Sequence, residues 1–163
     1  METVTFKESD EIRERAEQLF AEQKEKLSRL IPGADIQHIG GTAVPGLLTK
    51  GDIDINVRVR EEDFSGAVRI LKEHYSINQP ENWTNTFASF KDDTSFALPL
   101  GIQVTVTDSS DDYFLEHRDA LLSNPALVEE FNELKRKFGG KDMDSYRSAK
   151  GQFLKNISTE TPH

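Results

Sequence analysis

The sequence predicts an α+β fold, in which a small mixed sheet carries flanking helices and is followed by a helical C-terminal half. Three patterns lead to this class: an amphipathic helix near the N-terminus, short strands in the middle of the chain, and continuous helical periodicity from Asp111 onward. The 163 residues predict one domain at 1–157, with its core sheet at about 34–107, its helical part at about 111–157, and a flexible tail at 158–163.

The first half of the chain is predicted to hold two helices and two strands. Residues 9–31 predict a helix, because apolar side chains recur at three- and four-residue steps, and Ser9 is its predicted N-cap. Residues 36–39 predict a short strand. Residues 52–59 predict the clearest strand, because apolar and polar residues alternate strictly, and a helix is predicted at 61–75.

The second half is predicted to complete the sheet and then to be helical. Strands are predicted around 86–91 and 102–107, with a pair of aspartates as the turn between them. Helices are predicted at 111–122, at 124–138 and at 144–157. The middle one begins with an Asn N-cap and a Pro at its first position, and two glycines end it.

Composition excludes several classes of function. The chain has no cysteine, which excludes disulfides, thiol catalysis and cysteine zinc sites. It has 29 acidic against 20 basic residues, a net charge of −9, which argues against a polynucleotide partner. No apolar run is long enough to span a membrane, and the N-terminus lacks a signal-peptide pattern, so a cytoplasmic protein is expected.

Two acidic residues on the predicted strand 52–59 are the first candidates for chemistry. Asp52 and Asp54 point to the same face of the strand, opposite an apolar face, so together they could hold Mg²⁺. The alternative is an ordinary polar edge facing solvent. Upstream, Gly40, Gly41 and Thr42 form a turn whose backbone amides and hydroxyl could bind phosphate; the alternative is a tight turn that needs positive φ.

Basic residues supply candidates for an anion pocket. Lys50 precedes the acidic strand directly, and the predicted C-terminal helices concentrate basic residues that include Arg118 and Lys150. If these converge on the sheet they could offset phosphate charge. The alternative is a helix surface charged for solubility. His38, before the glycine turn, is interpreted as a structural histidine.

These residues resemble the signature of the GrpB family, which reads His-Ile-Gly-Ser-Thr-Ala-Val-Pro-Gly-Leu, then a Lys, then Ile-Asp-Ile. The matching segment here is His38-Ile39-Gly40-Gly41-Thr42-Ala43-Val44-Pro45-Gly46-Leu47, followed by Lys50 and Asp54-Ile55. A looser match continues through the predicted helices. It covers Arg118-Asp119-Ala120-Leu121, Pro125, Lys135, Tyr146, Lys150 and Phe153. The resemblance extends over about 20–157.

The resemblance implies a nucleotidyltransferase-like core, because the GrpB family belongs to the nucleotidyltransferase superfamily. It implies Asp52 and Asp54 as catalytic and Mg²⁺-binding residues. It also implies a phosphate site made by Gly40, Gly41, Thr42, Lys50, Arg118 and Lys150. The chain departs from the family by having Gly41 in place of Ser and Asp52 in place of an apolar residue. The superfamily's third acid is missing, since the later strand reads Gln103-Val104-Thr105.

Three functions follow as hypotheses. The first is a nucleotidyltransferase-like protein that binds a magnesium–nucleotide and transfers the nucleotidyl group to an unknown acceptor. The second is a non-catalytic binder of a nucleotide, a coenzyme A-like ligand or another phosphorylated small molecule. The third is an acidic protein-interaction module. A third carboxylate near the Asp52–Asp54 pair would favour catalysis, a pocket lined by Gln and Thr would favour binding, and the lack of a concave pocket would favour the third hypothesis.

Overall fold

A five-stranded sheet with helices around it forms the centre of the protein, described by a computed structural model that covers residues 2–8, 10 and 12–160. The strands are β1 (Lys7–Glu8), β2 (Asp35–Ile39), β3 (Leu48–Thr49), β4 (Ile53–Val59), β5 (Ser76–Ile77), β6 (Phe87–Asp92) and β7 (Leu100–Val106). The helices are α1 (Arg13–Leu30), α2 (Phe64–Lys72), α3 (Phe114–Ser123), α4 (Pro125–Phe138) and α5 (Met143–Glu160).

The sheet is mixed, with the order β2-β4-β7-β6-β5. Strands β4 and β7 pair in parallel, and the other three pairs are antiparallel. The predicted α+β class with a small mixed sheet and a helical C-terminal half is therefore confirmed. A separate two-stranded ladder joins β1 to β3, so that the N-terminal segment lies beside the residues that lead into β4.

The two faces of β4 differ as its alternating sequence predicts. Ile53, Ile55 and Val57 are fully buried in the main core, which α1 and α2 complete with Leu27 and Leu71. Burial of each such side chain contributes roughly 1.5–3 kcal/mol, which fixes the register of the strand. The opposite face carries the polar residues of β4, because successive side chains of a strand point to opposite sides.

The C-terminal helices form a second core over the segment between β2 and β4. Val44 and Leu47 of that segment are buried against Leu121, Phe131 and Ile157, one residue from each of α3, α4 and α5. The helical half therefore covers the glycine turn and fixes its position relative to the sheet. Within the described part of the chain, no helix has the length and apolar character needed to cross a membrane.

Several element boundaries differ from those predicted. Helix α1 begins at Arg13 rather than at the predicted N-cap Ser9, which lies outside the described residues, and its buried stripe starts only at Ala16. Helix α3 begins at Phe114 instead of residue 111. The side chains of Asp111 and Asp112 accept hydrogen bonds from Thr86, just before β6, and from Arg58 of β4. Helix α4 has the predicted N-cap, because the Asn124 side chain accepts a hydrogen bond from the backbone amide of Ala126. Helix α5 runs to Glu160 and so includes part of the predicted tail.

Candidate functional site

The Asp54 carboxylate lies in a space that two glycines leave open. It projects from the polar face of β4 between Gly40, at the end of β2, and Gly101, its register partner on β7. A Cβ atom at Gly40 would lie 2.6 Å from Oδ2 of Asp54, and one at Gly101 would lie 2.7 Å from Oδ1. No side chain fits at either position, so these glycines are required for the carboxylate to occupy this place.

A cleft of about 290 Å³ opens above this carboxylate. Five of the predicted site residues line it: Gly40, Gly41, Asp54, Arg118 and Lys150. They come from the turn after β2, from β4, from α3 and from α5, so the fold brings together residues up to 110 positions apart, from Gly40 to Lys150. The cleft lies on the polar face of the sheet and is bounded by the helical half.

Three predicted residues lie beside the cleft and do not line it. Asp52 forms an ion pair with Lys50, with 3.7 Å between Oδ2 and Nζ, and a quarter of its side chain is exposed. The negative charge of Asp52 nevertheless acts on Asp54. Thr42 is buried, and its hydroxyl oxygen forms a hydrogen bond of 2.9 Å with Nε2 of His38. This is the hydroxyl that was predicted to contact phosphate.

The electrostatic setting of Asp54 is unusual for an aspartate. Burial, followed by the charge of Asp52, raises the pKa of the Asp54 carboxyl to about 7, and the positive charge of Lys150 opposes this shift. Among the described residues, no hydrogen bond or ion pair satisfies the carboxylate. A carboxylate that is enclosed but unpaired gains strongly from an added cation or proton.

Lys150 has the complementary setting. Burial lowers the pKa of its ammonium group, and the charge of Asp54 acts in the opposite direction. In the part of the chain that the structure describes, Lys150 also forms no ion pair or hydrogen bond. Asp54 and Lys150 therefore both line the cleft and act on each other electrostatically without forming an ion pair.

Arg118 is held in place by the strand that precedes the glycine turn. Its guanidinium donates to the side-chain oxygen of Gln37 at 2.9 Å and to the backbone carbonyl of His38 at 3.1 Å, and it pairs with Asp119 at 3.1 Å. The ring of His38 is stacked on Phe20, with 5.2 Å between ring centroids. Because burial lowers the pKa of His38 to about 4, this histidine is neutral at pH 7 and has a structural role.

Two residues of α4 that were not predicted as site residues hold the segment before β4. The Asn132 side chain accepts a hydrogen bond from the Leu48 amide and donates one to the Gly46 carbonyl, each at 2.8 Å. Lys135 donates to the Leu48 carbonyl, with its ammonium 4.3 Å from the centroid of the Phe131 ring. Both are polar residues that are buried beside the apolar stripe of α4. Polar residues next to an apolar helix stripe are the sequence signal that could have identified them.

A third acid does not join the two aspartates. Among the described residues, no group of three or more His, Cys, Asp or Glu side chains could hold a metal ion. The strand beside Asp54 carries Gly101 and then Gln103, and Gln103 lines the cleft. Asp112, beyond β7, forms an ion pair with Arg58 at 2.7 Å and accepts from the Asp108 amide. The Asp112 carboxylate is therefore used to hold the loop after β7.

Comparison with protein families gives a match over nearly the whole chain. A family model described as GrpB protein matches residues 10–160. The chain belongs to the GrpB family. A UPF0157 protein of Vibrio cholerae is 30% identical over 156 residues, which cover 96% of this chain and 82% of that protein. The glutamate-rich protein GrpB of Alkalihalophilus pseudofirmus is 31% identical over 155 residues, with 87% and 88% covered.

Solved structures show the same fold in this family and in nucleotidyltransferases. The crystal structure of the conserved protein GrpB from Enterococcus faecalis superposes with a TM-score of 0.70 at 22% identity, covering 88% of this chain and 90% of that one. The Cid1 poly(U) polymerase with MgGTP bound gives a TM-score of 0.55 at 14% identity. That match covers 76% of this GrpB chain and 41% of Cid1. The predicted family and nucleotidyltransferase-like fold are thus confirmed.

Proposed function

We propose that the cleft binds a phosphorylated small molecule, foremost a magnesium–nucleotide complex. The observation that carries this proposal is the unpaired state of two opposite charges: Asp54 and Lys150 line one cleft, and within the described residues neither has an ion-pair partner. A ligand that brings both a cation and an anion satisfies the two groups together. Phosphate would bind toward Lys150 and the cation toward Asp54.

The glycine turn supports the phosphate end of this proposal. Gly40 and Gly41 both line the cleft, and Gly40 has a φ of 79°, a conformation that glycine adopts readily. Backbone amides in a glycine turn of this kind can approach a phosphate closely. Arg118 adds a fixed positive charge at the same cleft. Roles for Thr42 and Lys50 in phosphate binding remain predictions, because both lie beside the cleft.

The donor atoms fit one magnesium ion. Mg²⁺ prefers oxygen ligands, keeps several waters, and usually binds through one or two carboxylates plus substrate phosphates. Asp54 would hold the ion, with Asp52 contributing negative charge, and the other ligands would be water and phosphate. When bound, Mg²⁺ would neutralise phosphate charge and orient the phosphate group.

Nucleotidyl transfer to an acceptor is the second candidate, and the Asp52–Asp54 pair is the observation that favours it. Transfer needs a group that takes the proton of the attacking hydroxyl. Gly101 and Gln103, the neighbours of Asp54 on β7, supply no carboxylate that could act as this base, so binding is the function that the geometry supports better. The presence of a concave cleft argues against a purely surface-mediated interaction module.

Calorimetry with nucleoside triphosphates, in EDTA and at saturating Mg²⁺, tests the proposal. We expect Mg²⁺ to strengthen nucleotide binding, and linkage requires nucleotide to strengthen Mg²⁺ binding by the same factor. Asp54→Asn should remove most of this coupling, and Lys150→Gln should weaken nucleotide binding with and without Mg²⁺. Asp63→Asn, at an exposed acid outside the cleft, is the matched control. Equal coupling in the Asp54 variant and the control, or no binding of any nucleotide by the wild type, would overturn the proposal.

A further inference from the structure

The cleft has two ends that differ in chemistry. One end lies at the level of Asp54 and its partner Gly101 and is charged. The other end lies at Phe87, which pairs with Thr105 four residues farther along β7. At about 3.3 Å per residue the two levels are roughly 13 Å apart along the strand. A ligand that fills the cleft therefore extends well beyond the phosphate site.

The far end has an aromatic wall. Phe114 at the start of α3 stacks near Phe87, with 6.4 Å between ring centroids, and Tyr113 lies 4.6 Å from Phe114. His117 completes the wall, 5.2 Å from Tyr113. All four rings line the cleft, and Tyr113 is 38% exposed, although aromatic side chains are usually more deeply covered. An open aromatic face of this kind is suited to stacking against a planar ring.

Neutral polar groups lie between the charged end and the aromatic wall. Ser89 and Gln103, register partners on β6 and β7, both line the cleft, and Ser89 accepts a hydrogen bond from Asn78 at 3.1 Å. Oε1 of Gln103 is buried and has no hydrogen-bond partner among the described residues. An unpaired amide oxygen is costly, so a ligand that lets the Gln103 amide reorient and pair would be favoured.

The backbone at this end is also strained. Gln79 lines the cleft with a φ of 45°, a left-handed conformation that non-glycine residues rarely adopt. Such conformations concentrate at ligand-binding sites, where the surrounding structure maintains them. The indole of Trp83, the one tryptophan of the chain, donates to the carbonyl of Asn78 at 3.0 Å, so it lies next to this wall of the cleft.

We propose that the aromatic and amide end of the cleft is a nucleoside subsite, in which a nucleobase stacks on Tyr113 and the polar groups of the nucleoside pair with Asn78 and Gln103. The inference rests on the proposed function for the phosphate end, and it names the ligand class as a nucleoside phosphate. A bare polyphosphate would occupy the charged end alone. Neutral amides and aromatic rings recognise an uncharged planar ring, whereas phosphate is recognised by Lys150 and Arg118.

Calorimetry that compares four nucleoside triphosphates with inorganic tripolyphosphate, all at saturating Mg²⁺, tests the subsite. We expect at least one nucleotide to bind roughly 5-fold or more tightly than tripolyphosphate, the smallest effect typical of base–aromatic stacking. Tyr113→Leu should remove this advantage, and Tyr113→Phe, which keeps the ring, should retain it. Gln103→Met should also reduce it, with the exposed Gln152→Met as the matched control. Tripolyphosphate affinity should be the same in all variants.

Trp83 fluorescence gives an independent readout, which should change with nucleotide and stay constant with tripolyphosphate. Thermal melting of each variant checks that the fold is retained. Binding of tripolyphosphate as tight as that of every nucleotide, or equal nucleotide binding by Tyr113→Leu and Tyr113→Phe, would overturn the subsite and leave the phosphate site intact. Failure of both nucleotides and tripolyphosphate to bind would overturn the proposed function and, with it, the subsite.

Discussion

Replacing Gly101 with alanine tests directly how the Asp54 carboxylate is positioned. The new Cβ would lie 2.7 Å from Oδ1, so the oxygen has to move by about 0.7 Å to reach the 3.4 Å at which ordinary contact begins. The Gly40 backbone on the other side of the carboxylate restricts this movement. Overpacking of this kind typically costs roughly 1–3 kcal/mol. Because alanine is otherwise favoured over glycine inside a strand by roughly 0.5–1 kcal/mol, we expect Gly101→Ala to destabilise the protein by up to about 2 kcal/mol.

Gly66→Ala is the matched control for this substitution. Gly66 lies within α2, and no atom would come within 4 Å of a Cβ there. Alanine is favoured over glycine inside a helix by roughly 0.5–1 kcal/mol, so this variant should be more stable than the wild type. The same chemical change should therefore shift the free energy of unfolding in opposite directions at the two positions, as measured by urea denaturation.

A double-mutant cycle identifies the partner in the clash. In an Asp54→Ala background the oxygen that meets the new Cβ is gone, so Gly101→Ala should cost less there, with an interaction energy of roughly 0.5–3 kcal/mol. Gly101→Ala should also lower the affinity for Mg²⁺–nucleotide, because the displaced carboxylate no longer faces the cleft correctly. If Gly101→Ala were as well tolerated as Gly66→Ala, or cost the same in both backgrounds, the carboxylate would not occupy the position described here.

Two further substitutions test the supports of the site. Because His38 has its pKa lowered from 6.5 to about 4, the native state binds fewer protons than the unfolded state in that window, and stability should fall as pH drops through it by up to about 3 kcal/mol. His38→Gln should flatten this dependence in urea denaturation at pH 4 to 7; an unchanged slope would contradict the assignment. Asn132→Leu leaves the Leu48 amide and the Gly46 carbonyl unpaired and should cost roughly 2 kcal/mol or more. Faster hydrogen exchange at the Leu48 amide would verify the loss, and an unchanged rate would show that the bond is not formed in solution.

The sequence alone was sufficient for the strand that carries Asp54, and the reason is physical. Strict alternation over 53–59 allows only one register and orientation of the strand when one face is apolar, because a slip of one residue would expose every buried side chain. The same alternation places Asp54 on the polar face. Helix α4 was equally predictable, because its N-cap, its proline and its apolar stripe specify the same start and the same buried face.

Other parts of the site depend on contacts between distant residues and could not be predicted. Asn132 bonds to residues 84 and 86 positions away, and nothing local in α4 indicates which backbone groups it meets. The ladder of β1 with β3 consists of two residue pairs, too short to give a periodic pattern. A glycine inside a strand indicates a close approach of another group, but Gly101 lies just before the predicted strand 102–107 and only the structure places it inside β7.

The absence of a third acid beside Asp54 among the described residues has a consequence for how the cleft selects a ligand. A carboxylate at position 103 would add a like charge near Asp54, whose pKa is already raised, and would attract a metal ion to the empty cleft. Gln103 is neutral and Lys150 is cationic, so a free divalent ion in the cleft is attracted by Asp54 and repelled by Lys150. A free anion is attracted by Lys150 and repelled by Asp54. On the proposed function, only a ligand that brings its own cation with its phosphates would match both sides, so magnesium and nucleotide binding would be mutually dependent.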